Sequence, residues 1–206
     1  MRSNSALAEP VDIDHSAVVT THNVQHQATV VATALPSELG WIAVAARGRA
    51  LVRLVFGQAS AAAALAEIER QQGASLEVLD SREFDAILPG LAASLQAYAA
   101  GRNEDFADVP IDVGPQTPFQ RRVVAQCRRV AYGQTLTYAQ LADRAGSPRA
   151  ARAVGNVMAS NPLPLVVPCH RIVAADGGLG GYSAPGGTRL KLRLLETESR
   201  RRQPAR

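Results

Sequence analysis

Two short apolar runs, at residues 41–46 and 49–56, are separated by Gly48, a spacing that predicts a β-hairpin. Residues 58–72 are alanine-rich, with Leu65 and Ile68 at helical spacing and Gly73 as a stop. Over 84–100, Ile87, Leu88, Leu91, Leu95 and Tyr98 recur at helical intervals, predicting one amphipathic helix closed by Gly101. Residues 108–113 read as a last strand. Residues 1–36, by contrast, are polar, weakly patterned and rich in Thr, His and Gln, and are expected to form a flexible tail.

After Gly114-Pro115-Gln116 the pattern turns helical. Thr117-Pro118-Phe119-Gln120 offers an N-cap, a proline at the first helical position and a capping-box glutamine, so a helix should run to about Val130. Thr137-Tyr138-Ala139-Gln140 is a second capping box, with Leu136 and Leu141 placed as a hydrophobic staple, and that helix ends at Gly146. Ser147-Pro148 then opens a third helix towards Ser160, which would carry Arg149 and Arg152. Two short helices across so tight a junction read as a helix-turn-helix or as a plain helical hairpin. A last helix over 188–199 presents Leu190, Leu194 and Leu195. The fold class is thus α/β (α+β) with two domains, residues 37–114 and 115–200, followed by a basic end at 201–206.

Charge divides the chain at the same place. Through Thr117 there are 7 arginines against 14 acidic residues; from Pro118 onward 14 arginines and Lys191 face only 4 acids. A basic half of this kind suits a phosphate backbone. The two cysteines, Cys127 and Cys169, form no disulfide framework and suit a reducing, cytoplasmic setting. Neither an apolar run of about 18 residues nor a signal peptide is visible, so no membrane role is expected. The histidines, His15, His22, His26 and His170, make no ligand cluster with the cysteines, so no metal site is expected.

The candidate chemistry sits at Pro168-Cys169-His170-Arg171, entered from the apolar run Leu163-Pro164-Leu165-Val166-Val167. A thiol next to an imidazole and a guanidinium is expected either to have a lowered pKa and act as a nucleophile or to be a buried structural cysteine. The glycine-rich stretch 177–183 would let backbone approach a flat ligand or is a plain mobile turn, and it lacks the lysine of a phosphate loop. Cys127, mid-helix among apolar and arginine neighbours, reads as a packed thiol.

Taken together, the basic half resembles the O6-alkylguanine-DNA alkyltransferases, DNA repair proteins that move an alkyl group onto their own cysteine. The resemblance covers about 117–198. It is carried by Phe119-Gln120, Tyr132-Gly133, Thr137-Tyr138, Ala151-Arg152-Ala153-Val154-Gly155, Asn161-Pro162, Pro168-Cys169-His170-Arg171, Gly181-Tyr182 and Leu194-Leu195 with Glu198. Residues 38–113 fit the family's small amino-terminal domain. The resemblance implies a winged-helix-like helix-turn-helix domain, with Cys169 as acceptor, His170 as base through a bound water, and Glu198 holding the imidazole. Asn161 would buttress the turn, and Tyr138 would donate to the purine. Tyr182, Ser183 and Arg171 would line the substrate site, and Arg152 would hold open the stack from which the nucleotide is flipped. Arg149 and Thr137 would contact the DNA backbone. The segment 183–188 is longer than usual in the family, which leaves Glu196 as an alternative carboxylate.

The resemblance further implies a single-turnover DNA methyltransferase without cofactor, acting as a monomer on duplex DNA largely regardless of sequence. Cooperative binding and O4-alkylthymine repair are compatible extensions. A non-repairing, damage-binding relative would lack the cysteine that stands at 169. A helix-turn-helix regulator of the adaptive type would need more cysteines, and a cysteine hydrolase would need an acyl pocket that the sequence does not suggest.

Overall fold

The computed structural model describes residues 29–73 and 75–200. The hairpin around Gly48 forms: β2 (Trp41–Arg47) pairs antiparallel with β3 (Ala50–Gln58). A third strand, β1 (Val30–Leu35), pairs antiparallel with β2 from Val30↔Arg47 to Leu35↔Ile42. The tail expected over 1–36 is therefore corrected at its end, since 30–35 is sheet; residues 1–28 and 201–206 lie outside the described residues. The Val-Val-Ala-Thr-Ala-Leu run is apolar and carries β-branched residues at Val30, Val31 and Thr33, a composition that suits a strand. Helices packed against it supply the burial that makes it a strand. A short β4 (Glu77–Val78) adds parallel to β1, giving the order β3-β2-β1-β4.

Alternation along the sheet gives it two apolar faces. Ala43, Ala45, Val52 and Val55 pack on α1 (Ala61–Gln72) through Ala64 and Ile68. Ile42, Val44, Leu51, Leu54 and Phe56 face the remainder of the molecule. Strand β3 keeps this division through a bulge: Ala45 pairs with Arg53 but Ala46 with Leu51, so Val52 is the extra residue. Without it, Leu54 and Phe56 would fall on the face opposite Leu51.

Two expectations for this half are corrected. Residues 108–113 make no strand; a single bridge, Leu51↔Ile111, is what they contribute to the sheet. The helix expected over 84–100 is two helices, α2 (Ser81–Ile87) and α3 (Leu91–Ala99). Pro89 lacks the N–H that a continuing helix needs, and Gly90 sits at φ 74° as the N-cap of α3. The break re-aims α3, so that Leu91, Leu95 and Tyr98 point into the common core.

In the basic half, α4 (Pro118–Arg128) and α5 (Tyr138–Arg144) carry both expected capping boxes, Thr117 with Gln120 and Thr137 with Gln140. The third helix, α6 (Ala151–Ala159), starts later than expected. Gly146 at φ 71° ends α5, and Ser147 to Ala150 form a separate turn, so Arg149 is on that turn while Arg152 is in the first helical turn. The strand pair β5 (Leu136–Thr137) and β6 (Ile172–Val173) is parallel. The closing helix is α7 (Gly187–Arg200).

The sequence boundary near 115 does not divide the core. One apolar cluster runs from Leu35 and Phe56 through Leu95 and Tyr98 to Val123, Cys127, Val154, Val167 and Leu194. The edge of β3 also holds the turn that leads to Cys169, because Leu54 donates its N–H to the Pro162 carbonyl at 3.0 Å.

Candidate active site

Cys169 begins a single 3-10 turn, Cys169–Arg171, which leads directly into β6. Because β6 pairs with β5, and Thr137 of β5 is the N-cap of α5, this short ladder brings Tyr138 to the same side as the thiol. The turn before the cysteine is fixed by Asn161. Its Nδ2 donates to the Val167 carbonyl at 2.8 Å and lies 3.2 Å from Cys169 Sγ, while its Oδ1 accepts from Leu163 N at 3.1 Å. Within this turn Leu165 adopts φ 73°, a conformation that costs a branched side chain on the order of 1 kcal/mol. The surrounding core, in which Leu165 is 1 % exposed, holds it there.

Behind the cysteine lies a buried polar cluster centred on Glu198. Its Oε1 is 2.9 Å from His170 Nε2, and the Arg171 guanidinium contacts both carboxylate oxygens at 3.0 to 3.2 Å. Gly133 N–H donates to Oε2 at 2.9 Å and the Tyr98 hydroxyl to Oε1 at 2.6 Å. The carboxylate against His170 is thus Glu198; Glu196 is exposed, and its ion-pair partner is Arg200 at 3.8 Å. Burial alone would raise the Glu198 pKa, but hydrogen bonds and charge from His170 and Arg171 outweigh it and hold it at about 2. The same burial lowers the His170 pKa against the opposing pull of Glu198, so the imidazole is neutral near pH 7. A neutral ring donates from one nitrogen. With Nε2–H directed at the carboxylate, Nδ1 carries the lone pair, and it is buried with no hydrogen-bond partner among the described residues.

Two expectations fail here for the same reason. Arg171 does not line the substrate side: it is 5 % exposed, and it spends its donors on Glu198 and on the Val130 carbonyl at 2.6 Å. With Arg171 turned inward onto Glu198 and the His170 imidazole neutral, neither side chain acidifies the thiol. Burial raises the Cys169 pKa, and the Asn161 hydrogen bond and the Lys191 charge oppose only part of that rise. The resting sulfur is a thiol that needs a base.

Cys169 opens onto two hollows. One, of about 450 Å³, is lined by Tyr138, Gly155, Met158, Cys169, Tyr182 and Ser183. The other, of about 230 Å³, lies between the same cysteine and the amino-terminal sheet, with Phe56, Asn161, Pro164 and Tyr182 in its wall. Gly180, at φ 65°, lets the glycine-rich loop close on Tyr138, since a Cβ there would come within 2.9 Å of the phenol oxygen. Burial raises the Tyr138 pKa, so its hydroxyl remains a donor. The Tyr182 hydroxyl is buried without a hydrogen-bond partner among the described residues. Arg152 and Arg149 are exposed on α6 and its preceding turn, and Thr137 is half-buried with its Oγ1 accepting from Gln140 N at 3.1 Å.

Two residues of the site had no role in the sequence reading. Tyr98 reads there as one apolar position among several. Lys191 is 0 % exposed; its Nζ donates to the Ile172 carbonyl at 2.5 Å and stands 5.9 Å from the centre of the Tyr138 ring. Its signal was the helical spacing of 191, 194 and 198, the three residues that α7 buries.

Residues 118–200 match the DNA-binding domain of 6-O-methylguanine DNA methyltransferase, and 30–113 match the ribonuclease-like domain of the same methyltransferase. A methylated-DNA–protein-cysteine methyltransferase of Methanothermobacter thermautotrophicus is 44 % identical over 109 residues, 52 % of this chain and 59 % of that protein. The crystal structure of the Mycobacterium tuberculosis O6-methylguanine methyltransferase superposes with a TM-score of 0.68 at 34 % identity, covering 86 % of this chain and 97 % of that one. A Mycobacterium tuberculosis OGT in complex with DNA gives a TM-score of 0.66 at 33 % identity, over 82 % of this chain and 93 % of that one. With both domain profiles matched in order and the fold shared along nearly the whole of a solved relative, the chain belongs to the 6-O-methylguanine DNA methyltransferase family.

Proposed function

We propose that this protein repairs O6-alkylguanine in duplex DNA by transferring the alkyl group to Cys169 Sγ, once per molecule. The observation that carries this reading is the Cys169 thiol in the wall of the hollow formed by Tyr138, Gly155, Tyr182 and Ser183, directly beside the helix that bears Arg152. The neutral His170 accepts the thiol proton at Nδ1 through a water, and Sγ attacks the alkyl carbon in line. An S–C bond forms as the C–O6 bond breaks, its electron pair leaving with the purine, which is neutralised by a proton delivered from the Tyr138 side. The Lys191 charge favours the thiolate as it forms. Saturated carbon develops no oxyanion, so no oxyanion hole is required, and the thioether product has no leaving path that would restore the thiol.

The alkylated oxygen is inside the duplex, so the nucleotide must be extruded into the hollow. Arg152 fills the vacated space, and Arg149 and Thr137 meet phosphates, contacts that carry no sequence preference. Gly155 supports a close approach of α6 to a groove: a Cβ there would meet nothing within 4 Å, so the protein's own packing does not require glycine. One copy carries every residue assigned a role, so a monomer suffices. The substrate places the protein with the cytoplasmic nucleoid.

Intact mass after mixing with a duplex containing one O6-methylguanine tests this directly. One added methyl is expected, on the tryptic peptide 153–171 that contains Cys169 and not on 123–128 that contains Cys127. Tight binding with no mass change would replace repair by damage recognition. A second measurement addresses Arg152. Arg152→Ala should slow transfer from duplex by ~10-fold or more while leaving reaction with the free base unchanged, because only the former pays for unstacking. Equal loss on both would remove Arg152 from the extrusion step.

A further inference from the structure

We propose that Tyr98, supplied by the amino-terminal domain, is a positioning residue for alkyl transfer: its hydroxyl fixes the Glu198 carboxylate that holds His170 with Nδ1 as the free base. This rests on His170 being the base and Cys169 the acceptor. Tyr98 stands 72 positions before His170 and 100 before Glu198, on α3, yet its oxygen lies 2.6 Å from Glu198 Oε1 and 3.1 Å from His170 Nε2. A tyrosine buried only for packing is satisfied by any nearby carbonyl. This one spends its hydroxyl on the carboxylate oxygen that receives the imidazole N–H.

The placement is enforced. The ring is 3 % exposed and meets Phe106, Tyr132 and His170 edge to face at centroid separations of 5.9, 6.0 and 6.3 Å. Burial first, and the Glu198 charge next, raise the phenol pKa well above its ordinary value, so the group stays a donor at every working pH. Donation from Tyr98 withdraws charge from Oε1, which weakens the pull of the carboxylate on Nε2–H and keeps the imidazole from becoming a resident cation. The groups facing His170 are Glu198 and Lys191 from α7, Arg171 and Cys169 from its own turn, and Tyr98 from α3. Arg171 and Lys191 act in the same direction as Tyr98, and Glu198 acts against them. Tyr98 is the member of this set that lets the amino-terminal domain act on the reacting residues.

Tyr98→Phe keeps the ring and removes the hydroxyl. The expected result is an acid limb of the single-turnover rate moved to higher pH by about one unit, with transfer slowed towards tenfold only at pH well below the wild-type limb, and duplex binding unchanged. Imidazole nitrogen chemical shifts of labelled His170 should show the same upward movement of its pKa, whether or not transfer occurs. Site-specific fluorotyrosine at position 98, a stronger donor, should move both in the opposite direction and serves if the phenylalanine variant does not fold. An unmoved limb and unmoved His170 titration in either variant, in protein that still melts cooperatively, would make Tyr98 a packing residue only. A proton found on Nδ1 of the wild-type imidazole would instead overturn the assignment of His170 as base, so the two failures are distinguishable.

Discussion

Cys169→Ala is expected to abolish methyl transfer while leaving affinity for O6-methylguanine duplex within about twofold. The substitution removes the sulfur that becomes alkylated and nothing that the DNA-facing surface uses. Cys169 is 5 % exposed, and the lost sulfur atom should cost about 1 kcal/mol in stability. Asn161 keeps its bond to the Val167 carbonyl, so the turn holds its shape. The other thiol cannot substitute. Cys127 is 0 % exposed, burial raises its pKa well above the ordinary value, and it lines neither hollow that Cys169 borders. Intact mass and duplex binding, measured together, decide the matter; a methylated alanine variant would move the acceptor elsewhere.

Glu198→Gln is expected to cost about 3–5 kcal/mol in stability and at least ~10²-fold in transfer rate. The stability loss follows from what stays behind. Arg171 keeps a buried charge with no counterion. The His170, Gly133, Tyr98 and Arg171 donors must compete for one amide oxygen where two carboxylate oxygens stood. The rate loss follows from the imidazole, whose Nε2–H loses its fixed acceptor and with it the guarantee of a lone pair at Nδ1. Glu196→Gln is the control, since Glu196 is exposed, and should change neither quantity measurably. Thermal melts and single-turnover rates on both variants make the comparison.

The same cluster sets the response to acid. Glu198 titrates at about 2 in the folded chain, below the usual value of 4.5, so its contribution is complete above about pH 4.5 and is lost as pH falls towards 2. His170 is also lowered, by burial, so protonation favours the unfolded chain once pH falls through its usual value of 6.5. Wild-type stability should therefore decline first below about pH 6.5 and again below about 4.5, and the second decline should be largely absent in Glu198→Gln.

Much of the carboxy-terminal half is legible because its signals are local. A capping box needs a residue and its third neighbour, and both boxes at Thr117 and Thr137 stand where the spacing places them. The hairpin around Gly48 is legible for the same reason. The break at Pro89-Gly90 was equally local, and it is lost to a pattern reading that follows Leu88, Leu91 and Leu95 across it. The start of α6 differs because Gly146 and Pro148 make a turn of their own before helix resumes.

Strand β1 depended on partners. Val30 to Leu35 becomes sheet because β2 is beside it and helices cover it, neither of which its six residues encode. Inside the site the division is the same. The Cys169-His170 pair is plain in the sequence; Asn161 and a carboxylate at 198 or 196 came from the family resemblance, and the fold placed Glu198 against His170. The tertiary structure decided which way each side chain faces. It turned Arg171 inward onto Glu198, left Cys169 a buried thiol, brought Lys191 beneath Tyr138, and carried Tyr98 across the chain to the carboxylate. A residue's charge state is set by burial and by neighbours within a few ångströms, and those neighbours arrive from distant segments only when the core closes.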